Sequence, residues 1–185
     1  MDHTFIQTDN LAVSPLEDGD TSTREIASQP GPKGVTWRFC VTDINTPLTL
    51  TPPPGFARIL TVVDGYTFGV KTAKGHQPID CCTAVKLPDD GPVVAEPNSA
   101  TTRVFLVDYD PDVVSTTVRR LNGPIERNLI TLGHSSYAVY GVMGSFTLAG
   151  RRGDDRSCIL LGAQPAPLVV EEGSMVLVVR IDTLT

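Results

Sequence analysis

Two arginines that interrupt β-like apolar segments are the residues best placed for chemistry. Arg38 lies in TWRFCVT (36–42), and Arg58 lies in TPPPGFARILTVVDGYTFGV (51–70), between a Pro-rich turn and an apolar run. A guanidinium is planar, always charged, and can form paired hydrogen bonds with a carboxylate. Both positions therefore predict either recognition of a small anion or a structural ion pair.

The alternation in TWRFCVT separates two faces of a strand. Trp37, Phe39 and Val41 share one face, and Arg38 shares the other with Cys40 and two threonines. Small residues around a guanidinium leave volume that a ligand could fill. The same face could instead meet solvent or an interdomain seam.

Arg58 shares its strand face with Leu60, so we expect it to be buried, or to reach the rim of the fold from its turn. A buried guanidinium needs a carboxylate or an anionic ligand, because an isolated buried charge is costly. Glu25, which follows Arg24, is the expected partner of Arg58 or of Arg38. That ion pair would need no ligand.

Histidine and nucleophile patterns give little support for catalysis. His3, His76 and His134 are far apart and form no H-x-H pair, so we expect no metal and no cofactor. No G-x-S-x-G motif occurs. Tyr66, Tyr137 and His134 are the candidates for an acid–base pair if the protein is an enzyme.

Composition excludes several classes of protein. The 185 residues form one domain or two small lobes, and no apolar stretch approaches the ~18 residues of a membrane span. The net charge is −6 and no basic stripe is present, which argues against nucleic acid as a partner. The N-terminus has no basic region followed by an apolar core, so we expect no secretion signal and a cytoplasmic location.

The four cysteines are Cys40, Cys81, Cys82 and Cys158. In a cytoplasmic chain of this size we expect free thiols. Cys81 and Cys82 are predicted to be neighbours in a strand, with side chains on opposite faces.

Strand signals dominate the rest of the chain and predict an all-β protein, either a sandwich or a barrel. Apolar runs alternate with turns rich in glycine and proline, and only a short segment near Thr23–Ala27 could be helical. The predicted strands are 36–42, 58–63, 66–70, 80–87, 92–95, 102–108, 115–120, 128–132, 136–141, 145–149, 157–161, 167–170 and 175–182. Edge strands of such a fold could pair in a homodimer.

An internal echo predicts a duplicated β unit. TVVDGYTFGV (61–70) resembles YGVMGSFTLAG (140–150), and LPDDGPVV (87–94) resembles VEEGSMVLV (170–178), at nearly equal offsets. We therefore expect two lobes, residues 1–112 with an N-terminal arm and residues 113–185, packed as one compact unit.

The ordered series TREIA (23–27), WR (37–38) and PGFAR (54–58) running into LTVVDG (60–65) resembles the HutD/Ves family. LEDGDTS (16–22) and Pro53 depart from the family pattern, which marks a divergent member. The resemblance implies cupin-type jelly-roll (RmlC-like) barrels, here duplicated as a bicupin, and an association with the regulation of histidine utilisation.

The resemblance and the arginines together predict a regulatory protein rather than an enzyme. It would bind a small anionic metabolite, such as an acylated glutamate from amino-acid breakdown. The predicted ligand-binding residues are Arg24, Glu25, Trp37, Arg38 and Arg58. The alternatives are a metal-independent cupin isomerase or epimerase, and a protein-interaction module whose pocket has decayed.

Overall fold

The computed structural model describes residues 3–15, 21–65, 68–97, 101–130, 134–162 and 164–184, and it is built from β-strands. The strands as far as residue 109 are β1 (His3–Gln7), β2 (Ser14–Pro15), β3 (Ser22–Gly31), β4 (Gly34–Ile44), β5 (Leu48–Thr49), β6 (Ala57–Asp64), β7 (Phe68–Thr72), β8 (Gly75–Ile79), β9 (Ala84–Lys86), β10 (Val94–Pro97) and β11 (Thr102–Tyr109). The strands that follow are β12 (Val114–Asn122), β13 (Ile125–Leu129), β14 (Ser135–Met143), β15 (Ser145–Leu148), β16 (Arg151–Asp154), β17 (Ser157–Leu161), β18 (Ala166–Val170) and β19 (Met175–Thr183).

The chain divides into two compact units. The first unit is Leu11–Asp112, and the second combines Met1–Asn10 with Val113–Thr185. The N-terminal residues, grouped above with the first lobe, pair instead with the C-terminal half, because β1 runs antiparallel to β17. A turn of 3-10 helix, Thr8–Asn10, follows β1.

The first unit has two antiparallel sheets that share one core. The larger sheet has the strand order β2-β3-β4-β11-β6-β9, and the smaller has β5-β10-β7-β8. Leu60 and Leu106 from the larger sheet meet Phe68 and Val70 from the smaller in one buried cluster. Strands that alternate apolar and polar residues form such a sandwich because only one face of each sheet needs to leave water.

The second unit repeats this arrangement with its own core. Its sheets have the orders β1-β17-β14-β19-β12 and β13-β18-β15-β16. Val139 and Val178 from the first of these sheets pack with Phe146 and Leu168 from the second.

The predicted all-β class is confirmed, but the expected closed barrels are not seen. Each of the four sheets in the described residues is open, with two edge strands. Full closure would require the first and last strands of a sheet to pair, and the described pairings contain no such contact. Duplication of a cupin unit remains a prediction.

Two local predictions were wrong. The segment 23–27, weakly predicted as helical, lies inside strand β3. Cys81 and Cys82 lie in a turn after β8 rather than in a strand, and Cys82 has a φ of 60°. Their sulfur atoms are therefore 3.3 Å apart instead of on opposite faces of a sheet. All four cysteines are free thiols in the structure.

The described residues contain no helix that is long and apolar enough to cross a bilayer.

Candidate anion-binding site

A row of charged residues crosses three adjacent strands of the first unit. Asp108 on β11 lies opposite Arg38 on β4 and opposite Arg58 on β6. Two residues further along each strand, this face carries Cys40, Leu106 and Leu60, which belong to or pack against the core of the first unit. The charged row therefore extends the inner face of the larger sheet.

Arg58 is held on every side by protein groups. Its Nε donates to Asp108 Oδ1 at 2.5 Å, and its Nη2 donates to Asp108 Oδ2 at 2.8 Å. Its Nη1 donates to the carbonyl oxygen of Leu50 at 3.0 Å. The residue is 8% exposed, and Asp108 is 2% exposed. A buried pair with this fork-to-carboxylate geometry anchors β6 to β11 and leaves little capacity for a ligand.

Arg38 is the open member of the row. Its Nε donates to Asp108 Oδ2 at 2.8 Å, while its side chain remains 35% exposed. Among the described residues, its two terminal nitrogens make no hydrogen bond. Burial is the largest single influence on the pKa of Arg38 and lowers it, but the hydrogen bond and charge of Asp108 outweigh burial and raise the pKa overall. Arg38 thus presents a fixed, fully charged guanidinium edge.

A β-bulge places two polar side chains of β3 beside Arg38. The pairing of β3 with β4 shifts between Glu25 and Ala27, so that Glu25 lies opposite Cys40 and Ser28 lies opposite Arg38 on the same face. Ser28 Oγ donates to Glu25 Oε1 at 2.6 Å. Glu25 therefore acts on Arg38 through its charge alone and does not supply the expected ion pair.

The thiol of Cys40 lies in the floor of this region. Burial raises its pKa to about 11, and the nearby charge of Arg38 offsets only part of that effect. At neutral pH the group is a protonated thiol, which suits a wall of a binding site rather than a nucleophile.

Two of the predicted ligand-binding residues lie on the other face of the sheet. Trp37 stacks on Phe39, with ring centroids 4.7 Å apart, and donates to the side-chain oxygen of Gln29 at 2.7 Å. Arg24 donates to Asp43 at 3.0 Å, and Asp43 also accepts from Arg103 at 2.6 Å. The structure therefore brings Arg38, Arg58 and Glu25 to one face and separates them from Trp37 and Arg24.

Two of the three acid–base candidates belong to the second unit. Tyr137 and His134 belong to the second unit, and Tyr137 donates its hydroxyl to the carbonyl oxygen of Ile130 at 3.1 Å. Tyr66 lies outside the described residues. Within the described part of the chain, no three histidine, cysteine or acidic side chains converge as a metal site would require.

Asp108 is the functional residue that the sequence analysis missed. The segment TRVFLVDYD alternates so that Val104, Leu106 and Asp108 point to one face. A carboxylate at an inward position of a strongly apolar strand requires a cationic partner. That requirement could have identified Asp108 as the partner of Arg58.

The free edge of Arg38 is the part of the row with donors to spare. In the described part of the chain, Asp108 is the one carboxylate that contacts Arg38 and Arg58, and Glu25 acts on Arg38 only through its charge. The free edge of Arg38 offers two parallel donors. A carboxylate matches that edge in shape and charge. Glu25 lies close enough to disfavour a ligand with a second negative charge on that side.

The facing antiparallel sheets of each unit give the chain a cupin-like fold. A barrel-domain protein of the Cupin 2 type from Leptotrichia buccalis matches with a TM-score of 0.59 and 10% identity, over 98% of this chain and 96% of its own. The family model HutD matches residues 10–178, and the chain therefore belongs to the HutD family.

Two further structures share the fold along their whole lengths. HutD from Pseudomonas fluorescens SBW25, described for a formate condition, has a TM-score of 0.87 and 15% identity, with 100% of each chain covered. A conserved protein of unknown function from Pseudomonas aeruginosa PAO1 has a TM-score of 0.84 and 18% identity, again over 100% of each chain. No curated protein matches the sequence significantly. At these identities the similarity of structure establishes the fold alone.

Proposed function

We propose that this protein binds a small monocarboxylate at Arg38 and acts as a regulatory ligand-binding protein rather than as an enzyme. The observation that supports the proposal is the state of Arg38. Asp108 fixes its Nε, yet both terminal nitrogens of its half-exposed guanidinium are free among the described residues.

The surroundings of Arg38 favour binding over catalysis. The protonated thiol of Cys40 and the hydroxyl of Ser28 flank the guanidinium, and no histidine of the described first unit lies on its sheet. A binding site needs a pre-formed cation and some volume, whereas acid–base catalysis needs a titratable pair near the substrate. The regulatory role rests on membership of the HutD family. Formate enters the proposal as a test ligand because the structure of HutD from Pseudomonas fluorescens is described for a formate condition.

The ligand class follows from the charge balance of the row. Two guanidiniums that share one contacting carboxylate can accept one carboxylate more, and the charge of Glu25 disfavours a second. An acylated amino acid or an unsaturated acid from amino-acid breakdown would present such a group. Arg58 has a supporting role in this proposal, because it orients Asp108 and Asp108 in turn orients Arg38.

A thermal-shift screen tests the proposal. Formate, acetate and urocanate are each added to the wild-type protein, to Arg38→Ala and to Lys74→Ala, and formylglutamate serves as the dicarboxylate for comparison. Lys74 is an exposed cation of the same unit, paired with Asp90, so its removal controls for a change in net charge. A ligand at about 100 times its dissociation constant stabilises the folded state by about 2.7 kcal/mol.

We expect at least one acid to raise the melting temperature of the wild type and of Lys74→Ala, but not of Arg38→Ala. Equal shifts in all three proteins would refute binding at Arg38. If no acid shifts the melting temperature of the wild type, the charged row has only a structural role, and the protein-interaction alternative is favoured.

A further inference from the structure

We infer that the second unit contains a separate binding site for an organic dianion with an apolar body. An open cavity of about 550 Å³ is lined by residues of β12, β13, β14 and β19, among them three arginines, Arg119, Arg127 and Arg180. This site is independent of the proposed function, because none of its residues belongs to the first unit.

The strand register places the arginines on the inner face of the sandwich. Arg119 lies opposite Val178, and Arg180 lies opposite both Thr117 and Tyr137. Val178 and Tyr137 belong to the core of this unit. Because side chains on opposed positions of paired strands share a face, Arg119 and Arg180 point toward the core side.

Arg127 reaches the same space from the opposite sheet. It is two residues from Leu129 and two from Ile125 on β13, and both of these pack in the core of the unit. β12 and β13 are edge strands of their respective sheets. The cavity is therefore open along the side where the two edge strands follow each other in sequence.

The cavity carries excess positive charge. Arg180 Nε donates to Asp182 Oδ1 at 2.9 Å, and Asp182 also accepts from Ser135 at 2.5 Å. Within the described part of the chain, Arg119 and Arg127 have no acidic side chain within ion-pair distance. Three guanidiniums against one carboxylate thus leave two uncompensated charges around one space, and two negative groups on a ligand would balance them.

The rest of the lining selects the body of the ligand. Leu121, Leu129 and Val178 give the cavity an apolar floor, and Asn128 adds an amide at its rim. The Tyr137 hydroxyl is used in its bond to Ile130, so its ring serves as a wall. A dicarboxylate with a short hydrocarbon chain or ring fits this combination of two cations and an apolar surface better than inorganic phosphate does.

The similarity between the segments 61–70 and 140–150 allows the charged row of the first unit to be compared with the corresponding residues of the second. The offset of 79 residues that aligns Asp64-Gly65 with Met143-Gly144 also aligns Arg58 with Tyr137. In the first unit the neighbouring strand opposes Arg58 with Asp108, whereas in the second it opposes Tyr137 with Arg180. The acidic residue at the centre of one row corresponds to a basic residue in the other, so the second unit has no carboxylate at that position, and Asp182 is the one acidic residue among the described residues of the cavity lining.

Calorimetric titration with glutarate, and with acetate as the monocarboxylate reference, tests this inference. The proteins compared are the wild type, Arg119→Ala, Arg127→Ala, Arg120→Ala and Arg38→Ala. Arg120 is the matched control, because it follows Arg119 on β12, is exposed and pairs across the sheet with Leu177 on the opposite face.

We expect glutarate to bind more tightly than acetate to the wild type. Arg119→Ala and Arg127→Ala should each weaken glutarate binding by roughly tenfold or more, since each removes a charge-assisted hydrogen bond. Arg120→Ala and Arg38→Ala should bind glutarate like the wild type.

Two results would overturn the inference. One is unchanged or absent glutarate binding across all the proteins. The other is a loss in Arg120→Ala equal to that in Arg119→Ala, which would reduce the effect to net charge. Loss in Arg38→Ala alone would assign glutarate to the first unit and would likewise reject a second site, while supporting the proposed function.

Discussion

At the scale of single residues, Asp108 determines what the two motif arginines can do. Its two oxygens accept from Arg58 and Arg38, and these bonds join β6, β11 and β4 through side chains as well as through the backbone. Arg58, which follows the Pro-Gly turn and begins an apolar strand, therefore has a structural role. Arg38 bonds to Asp108 through its Nε alone, so its terminal nitrogens remain available to a ligand.

Replacing Asp108 by asparagine should destabilise the protein by about 3–5 kcal/mol, because it leaves the buried guanidinium of Arg58 without a counter-charge. Urea unfolding measures the change. Asp90→Asn is the control, since Asp90 lies in an exposed pair with Lys74 and its loss should have little effect. Equal stabilities of Asp108→Asn and the wild type would contradict the scaffold role.

Asp43 should make the stability depend on pH in the acid range. Burial tends to raise its pKa, but the hydrogen bonds and charges of Arg103 and Arg24 outweigh burial, so the pKa is lowered. The unfolded chain then binds the proton more readily, and the stabilisation is complete above about pH 4 and is lost as the pH falls through the lowered value.

Urea unfolding of the wild type and Asp43→Asn over a pH series tests this dependence. The variant should be less stable than the wild type by a constant amount between about pH 5 and pH 7, and this deficit should shrink below about pH 4. A deficit that stays constant or grows down to about pH 2 would show that the pKa of Asp43 is not lowered by its arginines.

At the scale of elements, the long apolar strands could be predicted from sequence and the polar ones could not. The prediction 102–108 differs by one residue from β11, since alternation and β-branched residues are strong signals. β3, β8 and β16 were missed, because STREIASQPG, GHQPI and RRGD have few apolar residues and owe their strand form to their neighbours in a sheet.

The same limit applies to the site. The faces of β4 followed from alternation, so Arg38 could be assigned to a small-residue face from sequence. The position of Glu25 depends on the bulge in β3, and no pattern of residues in the sequence predicts that shift in the pairing of β3 with β4. The pairing of Asp108 with both arginines depends on β11 lying between β4 and β6, which is a long-range feature of the topology.

Gly153 on β16 is required by the close approach of its strand to β15. It lies opposite Phe146, and a Cβ at this position would come within 2.4 Å of the Phe146 ring and 2.8 Å of Ser157 Oγ. Gly153→Ala should therefore destabilise the second unit by about 1–3 kcal/mol through overpacking.

A double-mutant cycle isolates this contact. Phe146→Leu should be destabilising by itself, but combining it with Gly153→Ala should cost less than the sum of the two single changes, because the smaller side chain makes room for the Cβ. Chemical unfolding of the four proteins gives the coupling energy. Strict additivity would mean that the methyl group is accommodated elsewhere.

At the scale of the whole molecule, the chain combines a net charge of −6 with a locally positive cavity in the second unit. The sequence predicted the all-β class and the HutD family, and both are confirmed. It did not predict that the first strand would join the C-terminal half, because β1 pairs with β17, for example His3 with Leu161 and Gln7 with Ser157, far away along the chain. Pairings of that range leave no local signal in the sequence.

Nuclear magnetic resonance of arginine side chains labelled with nitrogen-15, during titration with formate, tests the central claim most directly. Arg38→Ala identifies the Arg38 signal by its disappearance. We expect the Arg38 Nε–H signal to shift and saturate, with little change at the exposed Arg120. An Arg38 signal that stays fixed while the concentration of formate rises, or a linear drift shared by all arginines, would contradict binding of a small carboxylate at Arg38.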